Sequence, residues 1–220
     1  MYAIGHFALG YIAGKGSSRL LKTKISVPLL MAVSVIPDID LLLEIVNPAL
    51  FMHRGLTHSI ITYTALMIPF FVLYRRQAIP YYAVLLSHSL IGDFFTGGIE
   101  AFWPLSQDWF GNKLMAIGRP LDVAAELTLF VVATSIMFKA GDLRALLRPK
   151  SRNLVLLIAF GAVLGPMLSV GEIESNFPGL LVGPSLFWIA LFGYSIFLGL
   201  QSKPPKPSPT RISPLSEKQN

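Results

Sequence analysis

Residues Leu180–Leu200 read LLVGPSLFWIALFGYSIFLGL, a run without one charged side chain. As a helix rising ~1.5 Å per residue it reaches ~30 Å, the hydrocarbon thickness of a bilayer. Past it the composition turns over abruptly to SKPPKPSPTRISPLSEKQN. A segment so rich in Pro, Ser and Lys cannot bury a core, so 201–220 is expected to be a disordered tail behind an integral membrane domain at 1–200.

Working back toward the N-terminus, similar apolar stretches recur at Ile25–Val46, His58–Tyr74, Ile79–Ile99, Leu121–Phe138 and Leu154–Val170. The fold class expected is all-α, a polytopic helical bundle of about six transmembrane helices. Composition agrees. Hydrophobic residues make up 53% of the 220 positions and charged residues 14%, more apolar surface than a soluble domain of this size hides. The first apolar stretch, Ala3–Ala13, precedes the first basic cluster at Lys15–Lys24 and is too short to cross. It is expected as a half-inserted helix, not a cleaved signal peptide.

Charge sets the orientation. The net charge is +6, but 15 of the 18 basic residues lie in Lys15–Lys24, Arg75–Arg76, Lys139–Arg152 and the tail. Clusters between apolar runs are topology signals, not a nucleic-acid surface. They predict a multi-pass protein of the cell membrane with the tail cytoplasmic. The loops around Pro48–Thr57, Glu100–Gly118 and Gly171–Gly179 would then face outward.

Acids follow the opposite rule. Only Asp142 and Glu217 fall in the basic segments; Asp38, Asp40, Glu44, Asp93, Asp122 and Glu126 interrupt the outer halves of expected spans. A carboxylate there costs roughly 2.5–3.5 kcal/mol on insertion scales, so it needs a partner and a purpose. All four histidines, His6, His53, His58 and His88, are expected within reach of these carboxylates, with His53 and His58 at the outer end of a span and His88 near the middle of the next. Imidazole with carboxylate suits Zn²⁺ or a related divalent ion, and the absence of cysteine excludes thiolate sites. Each group also has a plainer use. His88 could be a packed core residue, Asp38 could accept amides freed at Pro37, and Asp122 and Glu126 could be an i, i+4 pair on a helix starting at Arg119–Pro120 that Asp122 helps to cap. Their convergence on one leaflet favours a shared site.

The runs GHFALGYIAGK, PDIDLLLE, HRGLTHS and SHSLIGDFFTGG, taken in order, resemble the YdjM-like family of membrane-bound metal-dependent hydrolases. That family is distantly similar to the all-helical superfamily of zinc-dependent phospholipases C and nucleases. The resemblance covers Met1 to Gly98 and implies His6, Asp38, Asp40, His53, His58, His88 and Asp93 as ligands or catalytic groups. Asp122 and Glu126 join the expected ligand set from depth and charge alone.

The reaction expected is hydrolysis of a lipid or other membrane-surface phosphoester by metal-activated water. Asp40 or Asp93 would take the proton and Arg54 would hold a phosphate oxygen. Two other readings use the same residues: an ion- or proton-coupled transporter, and a scaffold with a structural metal. A transporter needs polar groups through to the far side, and Ile25–Val35, Ala65–Val72 and Leu129–Ile136 hold no ionisable residue. No HExxH run is present. KLMAIGRP at 113–120 is one residue short of the lipid-phosphatase element it approaches.

Overall fold

The computed structural model describes residues 1–48, 50–168 and 177–202, without the side chains of 165–168. The tail from 203 and most of the expected outward loop at Gly171–Gly179 lie outside the described residues. Among the described residues ten α-helices run in chain order: α1 Ala3–Leu20, α2 Val27–Val33, α3 Asp40–Leu43, α4 Ile60–Tyr74 and α5 Ile79–Ser87 come first. They are followed by α6 Phe94–Thr96, α7 Pro120–Lys139, α8 Asp142–Leu146, α9 Leu156–Leu168 and α10 Gly179–Leu200. No strand occurs among the described residues, only an isolated bridge between Ile99 and Phe110.

All-α architecture is therefore observed, but six full-length spans are not. Among the described residues only α7 and α10 are long and apolar enough to cross a membrane. The other expected spans are short or broken, and proline or polar residues mark the breaks at Pro37 and at His88–Asp93. Ile25–Val46 divides into α2, a 3₁₀ turn over Pro37–Ile39 and the single turn α3; Pro37 lacks the amide a continuing helix needs. His58–Tyr74 keeps the 15 residues of α4. Ile79–Ile99 becomes α5, a π-helical turn over His88–Asp93 and α6. Leu154–Val170 begins in a 3₁₀ segment before α9. Mean hydropathy counts apolar residues and is blind to where the hydrogen-bond ladder is cut.

The N-terminal helix differs the other way. It runs 18 residues to Leu20, straight through Lys15, and it is central. Gly10 and Gly14 let it approach closely: a Cβ on Gly10 would lie 2.6 Å from Ser34 Cβ, and one on Gly14 2.6 Å from Leu30. Small residues four apart are how helices come together where apolar burial gives no driving force. Above that seam Phe7 packs edge-on against Trp188 and Phe192, at 5.8 and 5.1 Å between ring centroids. Such pairs add about 0.5–1.5 kcal/mol each beyond area burial.

Two ends result. At one, the Lys15 ammonium and the Tyr11 hydroxyl meet Asp142 (2.5 and 2.7 Å), and a Cβ on Gly199 would lie 3.2 Å from the Lys150 carbonyl. The Ser26 amide donates to the Tyr81 hydroxyl there as well. This end gathers the basic clusters. The opposite end gathers the starts of α1, α4 and α7 with the end of α5, and it carries the acids and histidines.

Candidate metal centre

Local backbone devices aim the side chains. Asp38 and Asp40 project from the turn opened by Pro37, at the point where α2 has already ended. Five residues separate His88 from Asp93, which would set them ~140° apart around an α-helix of 3.6 residues per turn. The π turn over His88–Asp93 widens the coil and brings both to one side, a use of π turns common at functional sites. Ser59 caps α4 by accepting from the Ile61 and Thr62 amides while donating to the Trp103 carbonyl at 2.7 Å. His58 is thereby fixed just ahead of the helix.

Arg54 sits in left-handed backbone (φ 71°), unusual for a side-chain-bearing residue. Its amide donates to Asp40 Oδ2 at 3.1 Å, and its carbonyl accepts from the Glu100 amide at 2.9 Å. Gly55 follows because a Cβ there would stand 3.0 Å from the Met52 carbonyl. Burial raises the pKa of the nearby Glu100 carboxyl above its ordinary value.

The ring tautomers follow from their partners. His88 Nδ1 lies 2.7 Å from the Ser34 carbonyl, which can only accept, so that nitrogen carries the proton. His58 Nδ1 lies 3.1 Å from Asp40 Oδ2 and donates to it. Both Nε2 lone pairs consequently face inward, 3.2 Å apart. Asp93 Oδ2 faces them at 3.2 Å from His58 and 3.1 Å from His88. Asp38 Oδ1 adds a second carboxylate oxygen at 3.5 and 3.4 Å. Four lone-pair-bearing atoms turned on one another repel unless positive charge lies among them. A divalent cation or extra protons on the rings meet that need, and the donor set of imidazole and carboxylate suits the cation.

His6 strengthens the fit. It stacks on His88 with centroids 3.7 Å apart, and both its ring nitrogens are buried without a hydrogen-bond partner. Gly92 makes room, since a Cβ there would lie 2.6 Å from His6 Cε1. Two groups have ligand atoms within 4.8 Å of one another: His6, Asp38, His88 and Asp93, and Asp38, His53 and His58. Asp38 belongs to both.

The remaining expected site residues take other places. Asp40 is fully buried, and both its oxygens are engaged, Oδ1 by His53 Nδ1 at 3.0 Å and Oδ2 by Arg54, Thr57 and His58. Asp93 Oδ1 pairs with Arg54 Nη2 at 3.0 Å, so Arg54 reaches inward to the cluster while also lining a cleft beside it. Asp122 and Glu126 belong to neither ligand group. Asp122 accepts from the Gly118 amide at 2.9 Å and Glu126 from the Tyr2 amide at 2.7 Å. The other oxygen of each, Asp122 Oδ1 and Glu126 Oε2, stays buried without a hydrogen-bond partner.

Several groups escaped the sequence altogether. Thr57 donates to Asp40 at 2.7 Å, and Thr96 accepts from Arg54 at 3.2 Å. The Ser34 carbonyl could not have been found at all, because a backbone acceptor leaves no residue-type signal. A cleft of about 600 Å³ opens beside the cluster, lined by His53, Arg54, Thr96, Trp109, Lys113 and Ile117 among others. Lys113 and Trp109 come from the loop after α6. Only a three-dimensional view puts that loop over the HRG turn.

The model of the YdjM inner membrane protein family matches residues 1–173. No curated protein and no solved structure matches the chain.

Proposed function

We propose, for a chain that belongs to the YdjM inner membrane protein family, that its function is metal-dependent hydrolysis of a phosphoester at the membrane surface. The observation that carries this is the pair of inward-facing Nε2 atoms of His58 and His88, 3.2 Å apart among carboxylate oxygens, beside a cleft bearing Arg54 and Lys113. His6, Asp38, His88 and Asp93 would hold one divalent ion, with His53 and His58 able to share Asp38 toward a second. Zn²⁺ fits this nitrogen and oxygen set. A bound divalent ion supplies Lewis acidity, lowering the pKa of water and polarising a phosphoryl oxygen.

The chain's own residues divide the remaining work. Asp40, with both oxygens committed, orients: it fixes the His58 tautomer and the turn at Arg54. Asp93 spends one oxygen on Arg54 and turns the other to the histidines. That leaves Asp38, the partly exposed member of the set, as the carboxylate best placed to accept a proton. Arg54 and Lys113 offer positive charge to phosphate oxygens, and Arg54 can do so while its Nη2 stays on Asp93. The positive-inside rule places the basic end in the cytoplasm and the cleft on the outer side.

A transporter would need a polar route between those ends. Along α1, α2 and α5 the residues next to the ligands are Phe7, Ala8, Leu30, Met31 and Val84, all buried to completion. This apolar packing favours a one-sided site. The test is metal analysis of purified protein with hydrolysis of a lipid phosphate ester. Bound divalent metal, lowered in His58→Ala and Asp38→Ala, and activity lost to a chelator and restored by Zn²⁺ are expected. Metal content unchanged in both variants would overturn the site. Metal without any phosphoester turnover would overturn the reaction.

A further inference from the structure

The segment between Ile39 and Val46 carries two opposite surfaces. Asp40 turns wholly inward, while Leu42, Ile45 and Val46 are 68%, 81% and 81% exposed and Leu41 stands out beside them. Sequence pattern made this the outer part of a spanning helix. Instead α3 is one turn long and ends in further turns at Glu44–Val46, so it cannot cross anything. No lysine or arginine occurs between Lys24 and Arg54, so nothing in the segment holds it in water by cationic charge. Exposed apolar side chains this dense, in the residues that also supply Asp38 and Asp40, need a cover.

We infer that Ile39–Val46 is a shallow hook inserted into the leaflet beside the candidate metal centre, its apolar side against lipid acyl chains, so that Asp38 and Asp40 are held at headgroup depth. Continuity names the occupant. The 3₁₀ turn at Pro37–Ile39 packs against the one at Leu56–His58 that opens α4, and α4 exposes Leu66, Ile68, Phe70, Val72 and Leu73. The hook therefore continues an apolar face of a protein whose family is of the inner membrane. Ordinary insertion energetics suffice, since apolar groups gain ~25 cal/mol per Å² on leaving water and the backbone of a single turn stays near the polar boundary. The amphiphile that reaches the metal ligands would then come sideways from the same leaflet. This placement stands without the hydrolytic reading, because it concerns where the ligands lie and not what they do.

The absence of cysteine makes depth measurable. Nitroxide labels at Ile45→Cys and Val46→Cys, in the full-length protein in vesicles of phosphatidylethanolamine and phosphatidylglycerol, are compared by their accessibility to oxygen and to a water-soluble nickel chelate. Gln107→Cys in the exposed loop gives the aqueous reference, and Val131→Cys on α7 the bilayer interior. Labels at 45 and 46 are expected to favour oxygen over nickel by several-fold relative to position 107, yet to lie shallower than position 131. Accessibilities equal to those at 107 would put the hook in water, and a depth equal to that at 131 would make it part of a crossing. Either result overturns the inference. Retained metal in the labelled protein shows that the fold survived. If one label displaces the metal, Leu42→Cys reads the same face.

Discussion

Replacing Asp40 should separate orientation of the site from coordination within it. Four donors converge on this one carboxylate: His53 Nδ1, the Arg54 amide, the Thr57 hydroxyl and His58 Nδ1. In Asp40→Ala they do not suffer equally. His53 is partly exposed and can turn to water, and Thr57 Oγ1, 3.1 Å from His58 Nδ1, can re-bond there. The Arg54 amide has no such alternative, and the His58 proton keeps only the hydroxyl. One or two buried donors left unpaired at about 1–3 kcal/mol each predict a loss of about 1–6 kcal/mol in stability. Asp40→Asn keeps an acceptor oxygen and the side-chain volume, so its folding loss should fall at the lower end.

Metal affinity should fall in both variants. His58 Nε2 points inward only while Nδ1 donates to a fixed acceptor, and removing such a partner typically costs 10–100-fold in metal affinity. Competition against a fluorescent chelator gives the dissociation constant, and thermal melting in detergent gives the stability. Asp40→Asn is expected to melt near the parent protein yet bind metal about tenfold more weakly. His58→Ala should lose more affinity, because a ligand goes with it. Parental affinity in Asp40→Asn and in Asp40→Ala would show that the Asp40–His58 bond does not orient the ring, and the site as drawn would fail.

Gly92→Ala pushes a methyl group against His6, so metal affinity should drop while the π turn persists by circular dichroism; unchanged affinity would remove His6 from the ligands. Lys113→Ala should raise KM for an anionic phosphoester several-fold with metal content unaltered, and an unchanged KM would confine phosphate recognition to Arg54. For orientation, Arg148→Cys should resist an impermeant thiol reagent in intact cells while Gln107→Cys reacts. The reverse pattern would invert the topology.

The difference between what the chain disclosed and what it withheld has one physical root. Residue type is visible in a sequence; hydrogen-bond continuity is not. His6, Asp38, His58, His88 and Asp93 could be gathered from the sequence because each is expensive at its depth unless matched with the others. The same economy drew in Asp122 and Glu126, which belong to neither ligand group and accept from the amides of Gly118 and Tyr2, and every residue but proline has an amide. It also concealed the broken spans. Pro37 and the π turn at His88–Asp93 cost the helices that a hydropathy window averages into single crossings, and both breaks lie where ligands must be aimed. A continuous helix through His88 and Asp93 would turn one of them away from the other. The interrupted spans and the candidate metal centre are thus one feature of the fold: the helices end where they do because their carboxylates and imidazoles face one another across the ends.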